Sequence, residues 1–208
     1  MRALLLDFNG TLSEDEPLLS RIFQELFTEA GRPLTEEEYY DRLAGLSDEE
    51  IIRIWLGRDD PALLALKTAR YRELADGSTI STDAREAVAW AAQRAALAVV
   101  SGSARAEIEP VLEAAGIRSD FSVVVSVDDI RRGKPDPEGY LLALHLLGVD
   151  GGDAVAVEDS PPGIAAAKAA GVYCAAVTTS FRADRLSQAD ALADRVDRDL
   201  IARLLSSA

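Results

Sequence analysis

The chain has 208 residues, with 22 Lys or Arg against 36 Asp or Glu and a formal net charge of −14. At roughly 150 residues per domain the length fits one domain plus an insertion, and the acidic excess argues against a nucleic-acid or anionic-membrane binder, since both need a basic patch. One cysteine, Cys174, excludes an intramolecular disulfide and a cysteine zinc cage, and one histidine, His145, excludes any site that needs two.

Ala3–Leu6 is the first expected strand, and it ends at Asp7. The apolar run that contains it is too short for a signal peptide or a membrane span, so a cytoplasmic location is expected. From about Ser13 to Thr82 no strand is apparent. Leu18–Ala30, Thr35–Leu43, Asp48–Leu56 and Pro61–Leu74 have helical patterns, and Ser47 with Glu50 has the form of a capping box. The reading is a helical insertion over residues 13–82.

Beyond it, strands are expected at Ala96–Val100, Val123–Val127, Ala154–Val157 and Val172–Val177. Their Val, Leu and Ala runs do not alternate with polar residues, as suits strands buried on both faces. Helices are expected at Asp83–Arg94, Arg105–Ala115, Pro137–Leu147 and Pro161–Ala170, with Gly116, Gly148 and Gly171 as helix stops. Strand–helix alternation implies an α/β fold with a doubly wound, Rossmann-like parallel sheet. Its core is residues 1–12 and 83–208. In such sheets ligands bind beyond the carboxyl ends of the strands, so the insertion would cap the site.

Those strand ends carry the chemistry. The first gives Asp7-Phe8-Asn9-Gly10-Thr11, the second Ser101-Gly102-Ser103. Gly133-Lys134-Pro135-Asp136 follows the third, and the fourth gives Glu158-Asp159-Ser160. Brought together, they make a carboxylate nucleophile, a hydroxyl, an ammonium and an acidic pair, a set suited to phosphoryl transfer. A carboxylate attacking a phosphate needs a cation to screen the two anions, and Mg²⁺ prefers oxygen donors.

These four motifs, in this order and across nearly the whole chain, resemble the haloacid-dehalogenase superfamily of aspartate-nucleophile phosphohydrolases. The Lys-Pro-Asp-Pro and Glu-Asp-Ser forms resemble its β-phosphoglucomutase/phosphoglycolate-phosphatase branch. The resemblance implies Asp7 as nucleophile and first metal ligand, and Asn9 as a ligand through its carbonyl. It implies Thr11, Ser101 and Gly102 around the phosphate, and Lys134 neutralising Asp7 and the phosphoryl group. Glu158 and Asp159 would complete a Mg²⁺ site. The expected function is a Mg²⁺-dependent phosphatase of a small phosphorylated metabolite, with no nucleic-acid or membrane partner and a monomer as default.

Asn9 departs from the pattern, which has a second aspartate there as general acid and base. An amide cannot exchange that proton, a loss of roughly 10²–10⁴ in rate. This leaves open a slow enzyme, a substrate with a good leaving group, a persisting phosphoenzyme, a phosphate binder without turnover, or a laboratory substitution. A regulatory phosphate-binding protein and a phosphotransferase or mutase are therefore the alternatives. Against a mutase, Gly45-Leu46-Ser47 is followed by Asp48 where that branch has an arginine for a second phosphate, and no histidine precedes His145. Cys174, Trp55, Trp90 and His145 are expected to pack or lie exposed. Glu36-Glu37-Glu38 fits an exposed first helical turn. Arg53, Arg58, Lys67, Arg70 and Arg72 of the insertion are candidates to contact an anionic substrate, with surface placement the default for each.

Overall fold

The computed structural model describes residues 3–207; Met1, Arg2 and Ala208, at the ends of the expected core segments, lie outside the described residues. Six strands form one parallel sheet: β1 (Ala3–Leu6), β2 (Ala96–Val100), β3 (Val123–Val125), β4 (Ala154–Glu158), β5 (Tyr173–Val177) and β6 (Ala191–Ala193), in the order β3-β2-β1-β4-β5-β6. The helices are α1 (Glu16–Glu29), α2 (Glu36–Arg42), α3 (Asp48–Leu56), α4 (Pro61–Leu74), α5 (Thr82–Ala92), α6 (Arg105–Ala114), α7 (Glu138–Leu147), α8 (Pro161–Ala169) and α9 (Arg198–Ser207).

β1 lies at the centre with every residue fully buried, which explains its unbroken Ala-Leu-Leu-Leu run. Its register pairs Leu6 with Val99 of β2 and with Val157 of β4. Asp7 therefore emerges level with Val100 and Glu158. The strand order reverses between β1 and β4, so the crevice opens at that point.

Helices α1–α4 intervene between β1 and β2 as expected. Their apolar faces join the same buried cluster as the sheet, and within it Phe23, Phe27 and Trp55 stack in sequence at 5.5 and 6.1 Å between ring centroids. Ile22, Leu26, Ile51, Ile52 and Tyr71 are buried with them. Glu50 accepts from the Ser47 backbone N–H at 3.2 Å, as the capping box requires. Gly116, Gly148 and Gly171 all have positive φ at their helix ends.

Three differences from expectation have physical causes. β3 stops at Val125 because Ser126 turns the chain, its hydroxyl and N–H both donating to Asp129 at 2.8 Å. β6 was not expected: it is a three-residue edge strand with Leu192 half exposed, too short to show a pattern. Asp190 fixes it, accepting from the Cys174 N–H at 2.9 Å while its own N–H donates to the Cys174 carbonyl at 2.8 Å. The third difference is α9, which buries Leu200, Ile201 and Leu204 and packs against α5.

Candidate active site

Asp7 follows β1 directly, and its N–H continues the ladder by donating to the Val157 carbonyl at 3.0 Å. Lys134 reaches it from the loop after β3. The Lys134 ammonium donates to Asp7 Oδ1 at 2.5 Å and to the Val100 carbonyl at 3.0 Å, and lies 2.6 Å from Glu158 Oε1. All three side chains are buried. Burial lowers the lysine, but the two carboxylates more than offset it and hold the ammonium above its ordinary value. Burial raises Asp7 to about 7; Lys134 opposes this and Glu158 adds to it.

Glu158 is heavily committed. Oε1 accepts from the Tyr140 hydroxyl at 2.6 Å, and Oε2 from the Asp159 N–H at 3.3 Å and the Ser160 hydroxyl at 3.4 Å. A side chain at Gly163 would put its Cβ 2.1 Å from that carboxylate, so the glycine makes room for it. Asp159 is raised well above its ordinary range, first by burial and then by repulsion from Asp7, Glu16 and Glu158.

Asp7, Glu158 and Asp159 each offer an oxygen within 4.8 Å of the others. Lys134 pairs with Asp7 and Glu158, Asp159 has no ion pair among the described residues, and the donors are all hard oxygens. That set fits Mg²⁺, which would supply the missing positive charge. Gly10 is required here: its φ is +75°, and a Cβ would lie 2.1 Å from Asp159 Oδ2.

The structure brings Asp7, Asn9, Ser101, Gly102, Lys134 and Asp159 to one cleft. Thr11 is placed differently from its expected phosphate contact. It is buried off the cleft wall, with its hydroxyl donating to Asp159 Oδ1 at 3.4 Å, so it positions a carboxylate instead. Ser101 lines the cleft while accepting from the Ser103 N–H at 3.1 Å. The Asn9 amide is tied at both ends: Oδ1 accepts from the Ser103 hydroxyl at 2.6 Å, and Nδ2 donates to Asp15 Oδ2 at 3.0 Å. Asp15 also accepts from the Tyr71 hydroxyl and from Ser13 Oγ, the latter at 2.8 Å.

The opposite wall comes from the inserted helices, and sequence reasoning missed it. Glu16, Leu19, Tyr39, Leu46, Asp48 and Ile51 line it. Glu16 opens α1 and Asp48 opens α3, so both resemble ordinary acidic first-turn residues. Lys67 corrects a surface expectation. It is fully buried, with Asp48 and Glu107 each 2.7 Å from its ammonium. Arg53 and Arg58 do lie exposed and pair with Asp59 and Asp60, while Arg70 is partly buried and pairs with Glu29. Cys174 is a fully buried core residue, and Trp55 packs with its indole N–H donating to the Arg32 carbonyl at 2.8 Å. Among the described residues no helix is long and apolar enough to cross a membrane.

A model of the haloacid dehalogenase-like hydrolases matches residues 1–171. The chain is 32% identical over 197 residues to a validoxylamine A 7'-phosphate phosphatase of Streptomyces hygroscopicus subsp. limoneus, covering 92% of each chain. It is 34% identical over 212 residues to protein CbbY of Cereibacter sphaeroides, covering 93% of this chain and 92% of that one. Among solved structures it is similar to a mutant of CbbY from Rhodobacter sphaeroides in complex with xylulose-(1,5)-bisphosphate. The TM-score there is 0.82, at 32% identity over 94% of both chains.

Proposed function

The chain belongs to the haloacid dehalogenase-like hydrolase family as a phosphoric monoester hydrolase, and from that premise we propose a Mg²⁺-dependent phosphatase of a small phosphorylated metabolite, acting through an aspartyl-phosphate on Asp7. The observation that carries this reading is the buried Asp7–Lys134 pair on the wall of a cleft that also holds Asp159 and Ser101. Lys134 engages Oδ1 of Asp7 and leaves Oδ2 to attack phosphorus. Ser101 and Gly102 would hold the non-bridging oxygens. Asp7, Asp159 and the Asn9 carbonyl would ligate Mg²⁺, with Glu158 closing the set while it anchors Lys134. Bound there, Mg²⁺ would screen the approach of two anions and polarise the phosphoryl group. The insertion over 13–82 is read as a cap that closes on the substrate and excludes water.

The phosphatases named among the relatives, and the xylulose bisphosphate held by the CbbY mutant, support a small organic phosphate as substrate. The tied Asn9 amide favours the second reading, a phosphate-ligand binder without turnover. Phosphate release over a panel of phosphomonoesters and acyl phosphates, with and without Mg²⁺, separates the two. The phosphatase reading expects metal-dependent release by the wild type that Asp7→Ala abolishes. Ligand-dependent thermal stabilisation without release would favour the binder.

A further inference from the structure

We infer that Glu16 is the general acid and base of this site and does the work that Asn9 cannot. The inference rests on the phosphatase reading.

Asn9 is excluded because an amide exchanges no proton, and its bonds give it another task. The oxygen takes the Ser103 hydroxyl and the amide nitrogen donates to Asp15, so the side chain serves as a fixed brace. Asp15 lies behind that brace and off the cleft wall. Four carboxyls remain on the wall: Asp7, Glu16, Asp48 and Asp159. Asp7 is the nucleophile, paired with Lys134. Asp159 belongs to the metal cluster and accepts from Thr11. Asp48 is taken up by an ion pair with the Lys67 ammonium at 2.7 Å. Glu16 stands apart from these. Among the described residues it forms no ion pair, and its hydrogen-bond partner is the Tyr39 hydroxyl, which donates to Oε1 at 2.8 Å. Oε2 is left to carry and deliver a proton.

The backbone holds Glu16 in place. Asp15 ties the preceding loop together, accepting from the Gly10 N–H at 3.3 Å and the Ser13 hydroxyl at 2.8 Å. Its carbonyl accepts from the Leu19 N–H at 3.1 Å, which starts α1 at Glu16. The charged groups around Glu16 come from several elements. Asp15 and Asp7 repel its charge, as does Asp159 beyond β4, while Lys67 of α4 attracts it; Tyr39 and Tyr40 face it from α2. Burial dominates and raises Glu16 to about 8, so the carboxyl is largely protonated at neutral pH. A divalent cation between Asp7 and Asp159 would offset their repulsion and bring it lower.

The step balances. As Asp7 Oδ2 bonds to phosphorus, the bond from phosphorus to the leaving oxygen breaks. Its electron pair stays on that oxygen, which takes the proton from Glu16 Oε2. The products are the alcohol, the Asp7 acyl phosphate and a Glu16 carboxylate. In the second half, Glu16 removes a proton from water as the water oxygen bonds to phosphorus. The bond to Asp7 breaks, its electron pair returns to the carboxylate, and inorganic phosphate leaves.

The test measures kcat/KM for phosphate release with Mg²⁺ from about pH 5 to about pH 9, over monoesters running from alkyl to p-nitrophenyl to acyl phosphates. It compares wild type, Asn9→Asp, Glu16→Gln and the double variant. Glu16→Gln is expected to lose on the order of 10²–10⁴-fold on alkyl phosphates and far less on acyl phosphates, whose leaving group needs no proton. Adding Asn9→Asp should restore most of that loss. In the wild type alone, alkyl-phosphate turnover should fall on an alkaline limb between the ordinary carboxyl range and about 8, and acyl-phosphate turnover should not. That profile decides the matter even if Glu16→Gln fails to fold. Wild-type rates from Glu16→Gln on alkyl phosphates, or equal losses on every substrate, would overturn the assignment of Glu16 and leave the phosphatase reading intact. Silence from both wild type and Asn9→Asp would overturn the phosphatase reading and this inference with it.

Discussion

Two of the three lysines in this chain are buried, and each is clasped by two carboxylates. Lys134 sits between Asp7 and Glu158 with Tyr140 beneath it, its nitrogen 5.6 Å from the ring centroid. Lys67 sits between Asp48 and Glu107 with Tyr71 beneath it, at 5.1 Å. The electrostatic unit is the same, but its surroundings differ. The Lys134 cluster reaches the wall of the cleft and faces Asp159 and Ser101. The Lys67 cluster touches the cleft through Asp48 alone, while Lys67 and Glu107 lie off its wall and fasten α3 and α4 to α6. A buried ion cluster is therefore not in itself a sign of chemistry. What differs is the company of the wall carboxylate: Asp7 lies within 4.8 Å of Glu158 and Asp159, whereas Asp48 is paired with Lys67.

Replacing one charge in each cluster sharpens this contrast. Asp7→Asn should lower phosphate release by about 10⁴-fold or more, as losing a nucleophile does. It also removes a buried carboxyl that burial holds at about 7, so the variant should melt no lower than wild type in metal-free buffer. Lys67→Met should behave in the opposite way. Stranding Asp48 and Glu107 should cost about 3–5 kcal/mol of stability by urea titration. Below its melting range the variant should keep kcat/KM within about threefold of wild type, as the small change expected of a group that touches no reacting atom. A large loss of turnover from Lys67→Met in folded protein would break the comparison, because it would give both clusters a chemical role.

Metal should tell the clusters apart by a smaller margin. Mg²⁺ at about a hundred times its dissociation constant should stabilise the wild type by about 2.7 kcal/mol. Thermal shifts should retain this gain in Lys67→Met and lose it in Asp159→Asn.

The last effect is in pH. Glu16 has an ordinary value of 4.5 when unfolded and is raised to about 8 in the fold, by burial first. Folding thus takes up a proton between those values. Its stabilising contribution is complete below about 4.5 and is lost as the pH rises through about 8. Asp7, raised from 3.8 to about 7, acts in the same direction. Metal-free stability should therefore fall across this window by up to about 1.4 kcal/mol per pH unit for each group. Glu16→Gln should flatten the upper part of the slope.

The core-side cluster was readable in the sequence and the other was not, for a physical reason. Asp7, Ser101 and Asp159 each follow a buried strand and Glu158 ends one, and parallel register delivers strand ends to one place whatever the intervening chain does. Lys134 was readable because Gly-Lys-Pro stands alone after β3. The wall from the insertion depends on how four helices pack. Nothing local distinguishes Glu16 or Asp48 from acidic residues that merely suit a helix N-terminus. Lys67 lies on α4, whose weak amphipathic pattern hides which face is buried. Thr11 was read as a phosphate contact because its motif is usually read as a unit. Its orientation toward Asp159 depends on how the loop is closed, by Gly10 N–H donating to the Ser13 carbonyl at 2.8 Å.

The most direct measurement is to quench the enzyme in acid during steady-state turnover of an alkyl phosphate with Mg²⁺, and to map any covalently bound phosphoryl group by peptide mass. The account predicts one phosphoryl group on the peptide that carries Asp7, absent from Asp7→Asn and increased in Glu16→Gln when an acyl phosphate is the donor. Sustained phosphate release with no phosphorylated Asp7 at any quench time, or a phosphoryl group on another residue, would contradict it.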